Sequence, residues 1–226
     1  MTKKIKLILK GISFLSLFIS FITVISGCAT TRYTTQNAAV TFVDTSVDDL
    51  VEKLMRQNNP TLIKDGFPGT LMVITGMIEL APTDYNLLAT ASFLYADYAL
   101  FVEDEDIDYA ISLFKVGTDY GMRALKANNP NFRKAIEEGG KVPEAVKFLT
   151  KDDLKALTWY GINLAKRVTL QLANPEEIID IQDAVASGMR SIELEPNYAG
   201  GQLEYSGHLL RDYAGPDGPG RWSGTV

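Results

Sequence analysis

The strongest constraint on this 226-residue chain is the way its apolar, periodic stretches stop at proline. Ile78-Glu79-Leu80-Ala81-Pro82 is followed by Tyr85, Leu125-Lys126-Ala127-Asn128-Asn129-Pro130 by Phe132, and Ile192-Glu193-Leu194-Glu195-Pro196 by Tyr198. Asn58-Asn59-Pro60 repeats Asn128-Asn129-Pro130, and Gly121-Met122-Arg123 is matched by Gly188-Met189-Arg190. Proline lacks an N–H and its ring crowds the preceding turn, so it closes a helix and lets a new one begin. Between these stops apolar residues recur every three or four positions, the period of a helix with one buried stripe. The spacing predicts helices over 46–57, 68–80, 84–102 and 107–127, a further one capped by Thr150 and Asp153, and a last one starting near Pro175. Ser46 with Asp49 opens the first in capping-box style. No segment alternates with the period of 2 that a half-buried strand needs, so the body is all-α.

The aligned ends resemble the second-helix ends of a tetratricopeptide (TPR) repeat. In the last copy Ala184, Gly188, Ser191 and Pro196 have that repeat's spacing of small residues before proline. The prolines are 22, 48 and 66 residues apart, whereas a regular array holds about 34. The fold expected is therefore a TPR-like helical-hairpin solenoid with degenerate, elongated repeats and an insertion around 131–149, set against a generic helical bundle whose helices happen to end in proline. Gly121, Gly161 and Gly188 each weaken a helix by about 1 kcal/mol relative to Ala, so close helix packing is expected at them.

The first 28 residues have the order of a secretory signal: Lys3, Lys4, Lys6 and Lys10, an apolar run from Gly11 to Ile25, then Ile25-Ser26-Gly27-Cys28. The run is 15 residues long, short of the roughly 20 that cross a bilayer. Its end resembles the bacterial lipoprotein box, which makes 1–27 a signal peptide and Cys28 the lipidated first residue of the mature chain. The alternative is an uncleaved anchor with a chance cysteine. Several acyl chains anchor stably where one is marginal, and Ala29 in place of aspartate fits sorting to the outer membrane. Residues 28–45, rich in Thr, Ala, Gln and Asn, form a flexible tether to the helical domain 46–214.

Composition removes several functions. All four charged residues of the first 27 are lysines, which leaves 18 basic against 28 acidic residues, a charge of -10. Nucleic-acid binding needs a basic face and is not expected. One cysteine and one histidine, His208, cannot supply a structural zinc site, and no metal or cofactor is expected. The acidic run Glu103 to Asp106 lacks the glycine and ligand spacing of a calcium loop and is expected as a solvated turn. The chain has no Gly-x-Ser-x-Gly elbow, phosphate loop or dinucleotide fingerprint, so no catalytic residue is nominated.

Four segments carry a family resemblance: Tyr95-Ala96-Asp97-Tyr98-Ala99 with Phe101, Asp119-Tyr120-Gly121-Met122-Arg123-Ala124-Leu125, Ala156-Leu157-Thr158-Trp159-Tyr160-Gly161, and Glu195-Pro196-Asn197-Tyr198 with Gly200-Gly201. In that order, behind a lipoprotein signal, they resemble the T component (TatT) associated with tripartite ATP-independent periplasmic (TRAP) transporters, over roughly 62–213. The resemblance implies a non-enzymatic periplasmic lipoprotein that can assemble as a homotrimer and dock a TRAP-type solute-binding protein. It also implies a cleft, lined partly by aromatic and apolar side chains, that holds a hydrophobic or organic-acid ligand. Family members continue with another helical pair after the position of Tyr213, whereas here the tail 215–226 opens with Gly215-Pro216-Asp217-Gly218-Pro219-Gly220 and is expected to be irregular. On that resemblance the chain is expected to be either truncated or without the C-terminal packing unit.

Tyr95, Tyr98, Phe101, Trp159 and Tyr160 are the candidates to line the cleft, although aromatics at helical spacing more often belong to a core. Asp119 and Arg123, four apart, are expected to pair on a helix face. Two rival functions remain open from sequence: a TPR scaffold lipoprotein that recognises extended peptides during envelope assembly, and an enzyme whose site residues are scattered.

Overall fold

A computed structural model describes Lys53, Arg56 and residues 58–174 and 179–198. The expected signal arm, Cys28, the tether, most of the 46–57 helix, the start of the last helix near Pro175, His208 and the tail lie outside the described residues. The helices all fall in one compact unit, Leu54–Val226. They are α1 (Pro60–Leu80), α2 (Tyr85–Val102), α3 (Ile107–Asn128), α4 (Pro130–Glu137), α5 (Val142–Ala145), α6 (Leu154–Leu170) and α7 (Ile181–Leu194), with single 3-10 turns at Val146–Phe148 and Lys151–Asp153. No strand occurs among the described residues.

Both Asn-Asn-Pro copies do the same work. Asn59 accepts hydrogen bonds from the Thr61 and Leu62 amides at 3.1 and 3.2 Å, with Pro60 opening α1. Asn129 accepts from the Phe132 amide at 2.9 Å, with Pro130 opening α4. Each proline stands where its missing N–H would have had no partner in the helix.

Helix α1 begins eight residues before the expected Pro68, which sits inside it. An interior proline strips the carbonyl one turn back of its partner. The orphan is the Lys64 carbonyl, and the Tyr98 hydroxyl of α2 donates to it at 3.1 Å. The Tyr98 ring stacks on Phe67 with centroids 5.0 Å apart. A tertiary contact thus carries the helix through a residue that would otherwise break it.

The centre is a three-helix junction. Helices α2 and α3 form an antiparallel hairpin across the turn 103–106, and α6 lies antiparallel to α3 while running in the same sense as α2. Gly117 and Gly121 of α3 make that approach possible: a Cβ on Gly117 would stand 2.3 Å from Asn163 Oδ1, and one on Gly121 would stand 2.8 Å from Tyr160 Cβ. Asn163 Nδ2 donates to the Ser92 carbonyl (2.9 Å) and the Trp159 carbonyl (2.7 Å), and the Ser92 hydroxyl donates to the Gly117 carbonyl at 2.8 Å. Close packing at Gly121 matches the sequence expectation. At Gly161 the added Cβ would meet Ser187 Cβ at an ordinary 3.4 Å, and no described atom lies within 4 Å of one on Gly188.

The segment expected as an insertion is tied down by one buried carboxylate. Asp153 accepts from Asn128 Nδ2 (2.9 Å), Asn129 Nδ2 (3.0 Å), the Thr150 amide (2.9 Å) and the Thr150 hydroxyl (3.2 Å). Thr150 and Asp153 form the expected capping box, which also joins the end of α3 to the start of α6. The acidic turn departs from its expected role as a merely solvated one. Glu103 pairs with Lys166 at 2.8 Å, Glu105 pairs with Lys64, and Asp106 caps α3 by accepting from the Tyr109 amide at 3.0 Å.

Candidate functional site

The five aromatic candidates fall into three places. Tyr95, Tyr98 and Phe101 belong to a seam between α1, α2 and α3. Tyr98 is buried there, with the Phe101 ring 6.4 Å and the Tyr109 ring 6.1 Å away. Tyr95 and Tyr120 have centroids 5.6 Å apart, and both hydroxyls reach Thr75 Oγ1, at 3.2 and 3.4 Å. Burial raises the Tyr95 and Tyr98 hydroxyls above the ordinary phenol range, so both remain neutral hydrogen-bonding groups near pH 7. Arg123 stands 5.2 Å from the Tyr120 ring centroid and makes the expected pair with Asp119, at 3.7 Å.

Tyr160 is buried between α6 and α3, where Gly121 admits its backbone and Cβ. Its hydroxyl is pushed up by burial first and then by the charges of Asp183 and Asp180. Asp183 of α7 is itself pushed up to about 6, mainly by burial, with Asp180 adding and Lys141 opposing. Asp180 is held by an ion pair to Arg167.

Trp159 occupies the third place, a groove between α2 and α6. Its ring meets Phe93 with centroids 4.7 Å apart, tilted by 50°. The two helices run in the same sense here, and polar contacts join them on either side of the aromatic pair. At one end Lys155 Nζ donates to Thr90 Oγ1 at 2.8 Å, and at the other Lys166 pairs with Glu103. Asp97 lies one turn beyond Phe93 on the same face of α2, as i and i+4 residues do. It is half-buried, and burial alone raises its carboxyl above the usual carboxylate range. Among the described residues it has no hydrogen bond or ion pair.

Phe93 was not among the nominated residues, and Asp97 entered only within a family segment. A signal for Asp97 was present: it is the one carboxylate in the 18 residues of α2, in a helix otherwise free of charge. The α2–α6 seam thus sets a partly exposed aromatic pair beside a half-buried carboxylate. No group of three or more His, Cys, Asp or Glu side chains suited to a metal occurs among the described residues.

The helices that build the seam, junction and groove coincide with a match to a known family. The family model described as TRAP transporter T-component matches residues 56–213, more than half of the chain. The chain belongs to the TRAP transporter T-component family. Membership gives it an accessory role in a TRAP system rather than a place in a known enzyme class, and associates it with the periplasm or the membrane. No described helix is long and apolar enough to cross a membrane. No curated protein matches the chain.

Proposed function

We propose that this T-component is a lipid-anchored periplasmic protein that docks the solute-binding component of a TRAP-type uptake system and holds a hydrophobic or organic-acid ligand. The match over residues 56–213 carries the reading. Helix packing supports the TPR-like solenoid within it: α2 with α3 and α6 with α7 make two antiparallel hairpins, and their first helices lie side by side in the same sense. Stacked hairpins of this kind leave one face lined by the first helices, open to a partner or small molecule. On that face Trp159 and Phe93 supply apolar contact, while Tyr95, Tyr98, Phe101 and Tyr160 support it from the seam and the junction. Assembly as a homotrimer and anchoring through Cys28 at the outer membrane complete the reading.

The test is capture from a periplasmic extract of the source organism on the immobilised chain, with bound proteins identified by mass spectrometry. A TRAP-type solute-binding protein is the expected catch. Recovery of outer-membrane precursors in its place would transfer the chain to the scaffold reading. For the anchor, Cys28→Ala should release the protein from membranes without changing its melting curve, and retention would show that the apolar arm itself holds it.

A further inference from the structure

The two cations that border the groove between α2 and α6 already have work within the protein. Lys166 Nζ is 2.8 Å from Glu103 Oε1, with both side chains largely covered (27% and 19% exposed), and Lys155 Nζ is 2.8 Å from Thr90 Oγ1. Asp97 is the reverse case: a half-buried carboxylate with no hydrogen bond or ion pair among the described residues. Neither carboxylate oxygen is sealed from water, so the group is half-covered by its neighbours and still within reach of a ligand. Its neighbour one turn away is Phe93, whose ring meets Trp159 at 4.7 Å. An aromatic face attracts a cation through its quadrupole, most strongly for tryptophan and when water is excluded.

We propose that the groove takes a ligand with a cationic amine on an apolar body, the ammonium bonding to Asp97 and the body lying on Trp159 and Phe93. The inference deepens the ligand-holding part of the proposed function and rests on it, while replacing an acidic head by a basic one. An ammonium supplies both the positive charge and the N–H donors that Asp97 lacks, and a charge-assisted hydrogen bond is the stronger kind. A carboxylate-bearing ligand would instead meet an unpaired carboxylate of like charge and two lysines engaged elsewhere.

Titration calorimetry on the full chain in detergent, with phenethylamine, phenethyl alcohol and 3-phenylpropionate as probes, separates the cases. The amine should bind about tenfold more tightly than the alcohol, the order expected of a desolvated cation–π contact joined to a charge-assisted hydrogen bond. Asp97→Asn should remove that preference and leave the alcohol's affinity unchanged. Its melting temperature should hold or rise, because a half-buried charge is gone, which confirms that the variant folds. Equal binding of amine and alcohol, or preference for the acid, overturns the amine inference and leaves the ligand-holding role standing. Failure of all three probes to bind at millimolar concentration removes both. A preference for amine that survives in Asp97→Asn also overturns the assignment, since the charge would then be read elsewhere.

Discussion

Helices α1 and α3 both carry glycines, and the two sets live in opposite surroundings. On α3, Gly117 and Gly121 face α6 so closely that a Cβ would stand 2.3 Å from Asn163 Oδ1 and 2.8 Å from Tyr160 Cβ. On α1, Gly66, Gly69 and Gly76 are exposed, and no described atom lies within 4 Å of an added Cβ. They share one outward stripe with Leu62, Val73 and Leu80, which are 54%, 50% and 84% exposed, while Phe67, Leu71, Ile74 and Ile78 occupy the inward face. Glycine loses more backbone freedom on folding than any other residue. At the junction that loss is offset by the approach of a neighbouring helix; on the outer face of α1 nothing among the described residues offsets it. The same residue type therefore marks a contact in one helix and, among the described residues, an uncompensated weakness in the other.

The contrast can be broken most sharply at Gly121. Gly121→Leu should destabilise the protein by about 1 to 3 kcal/mol in urea or thermal unfolding, because Tyr160 and Ser92 leave no room for the side chain. Between the two regions lies the α1–α2 seam. Tyr98→Phe there should cost about 1 kcal/mol by leaving the Lys64 carbonyl without its donor. On the outer face the sign reverses: Gly66→Ala should raise stability by about 0.5 to 1 kcal/mol, the gain of an exposed helix interior losing a glycine. A loss of stability there would mean that the stripe needs close approach after all.

The smallest change sharpens the far edge of the junction. Asp183 has a folded pKa near 6 against an ordinary 3.8, so the folded protein binds a proton more readily than the unfolded chain. Its contribution favours folding below about pH 4 and is lost as pH rises through about 6. Asp183→Asn should flatten stability across that window and stabilise the protein modestly at pH 7, as followed by thermal melts at several pH values. A pH profile identical to the parent would show that α7 leaves Asp183 solvated.

Much of the helical layout was legible because its signals are local. The Asn-Pro caps, the Thr150–Asp153 capping box and the three-to-four-residue period each act within a turn or two of chain, and α2 and α3 begin and end within a residue of their expected bounds. Pro68 misled for the converse reason. Its compensation comes from Tyr98, thirty positions away, and no local pattern reports that hydroxyl. The acidic turn follows the same logic: the role of Asp106 as a cap is local, while the pairings of Glu103 and Glu105 with Lys166 and Lys64 depend on helices remote in sequence. The groove was the least legible. A helical period separates buried from exposed positions, yet Phe93, Asp97 and Trp159 are neither, and their association depends on which helix lies beside α2.

The bond from Tyr98 to the Lys64 carbonyl ties the fates of two distant codons. While position 68 is proline, loss of the phenol oxygen leaves a carbonyl stranded; once position 68 regains an amide, the helix can satisfy that carbonyl itself and the oxygen becomes dispensable. The order in which the two positions change then decides whether an intermediate lineage is penalised. Tyrosine can be lost cheaply only after the proline has gone, and proline can enter cheaply only where the tyrosine already stands.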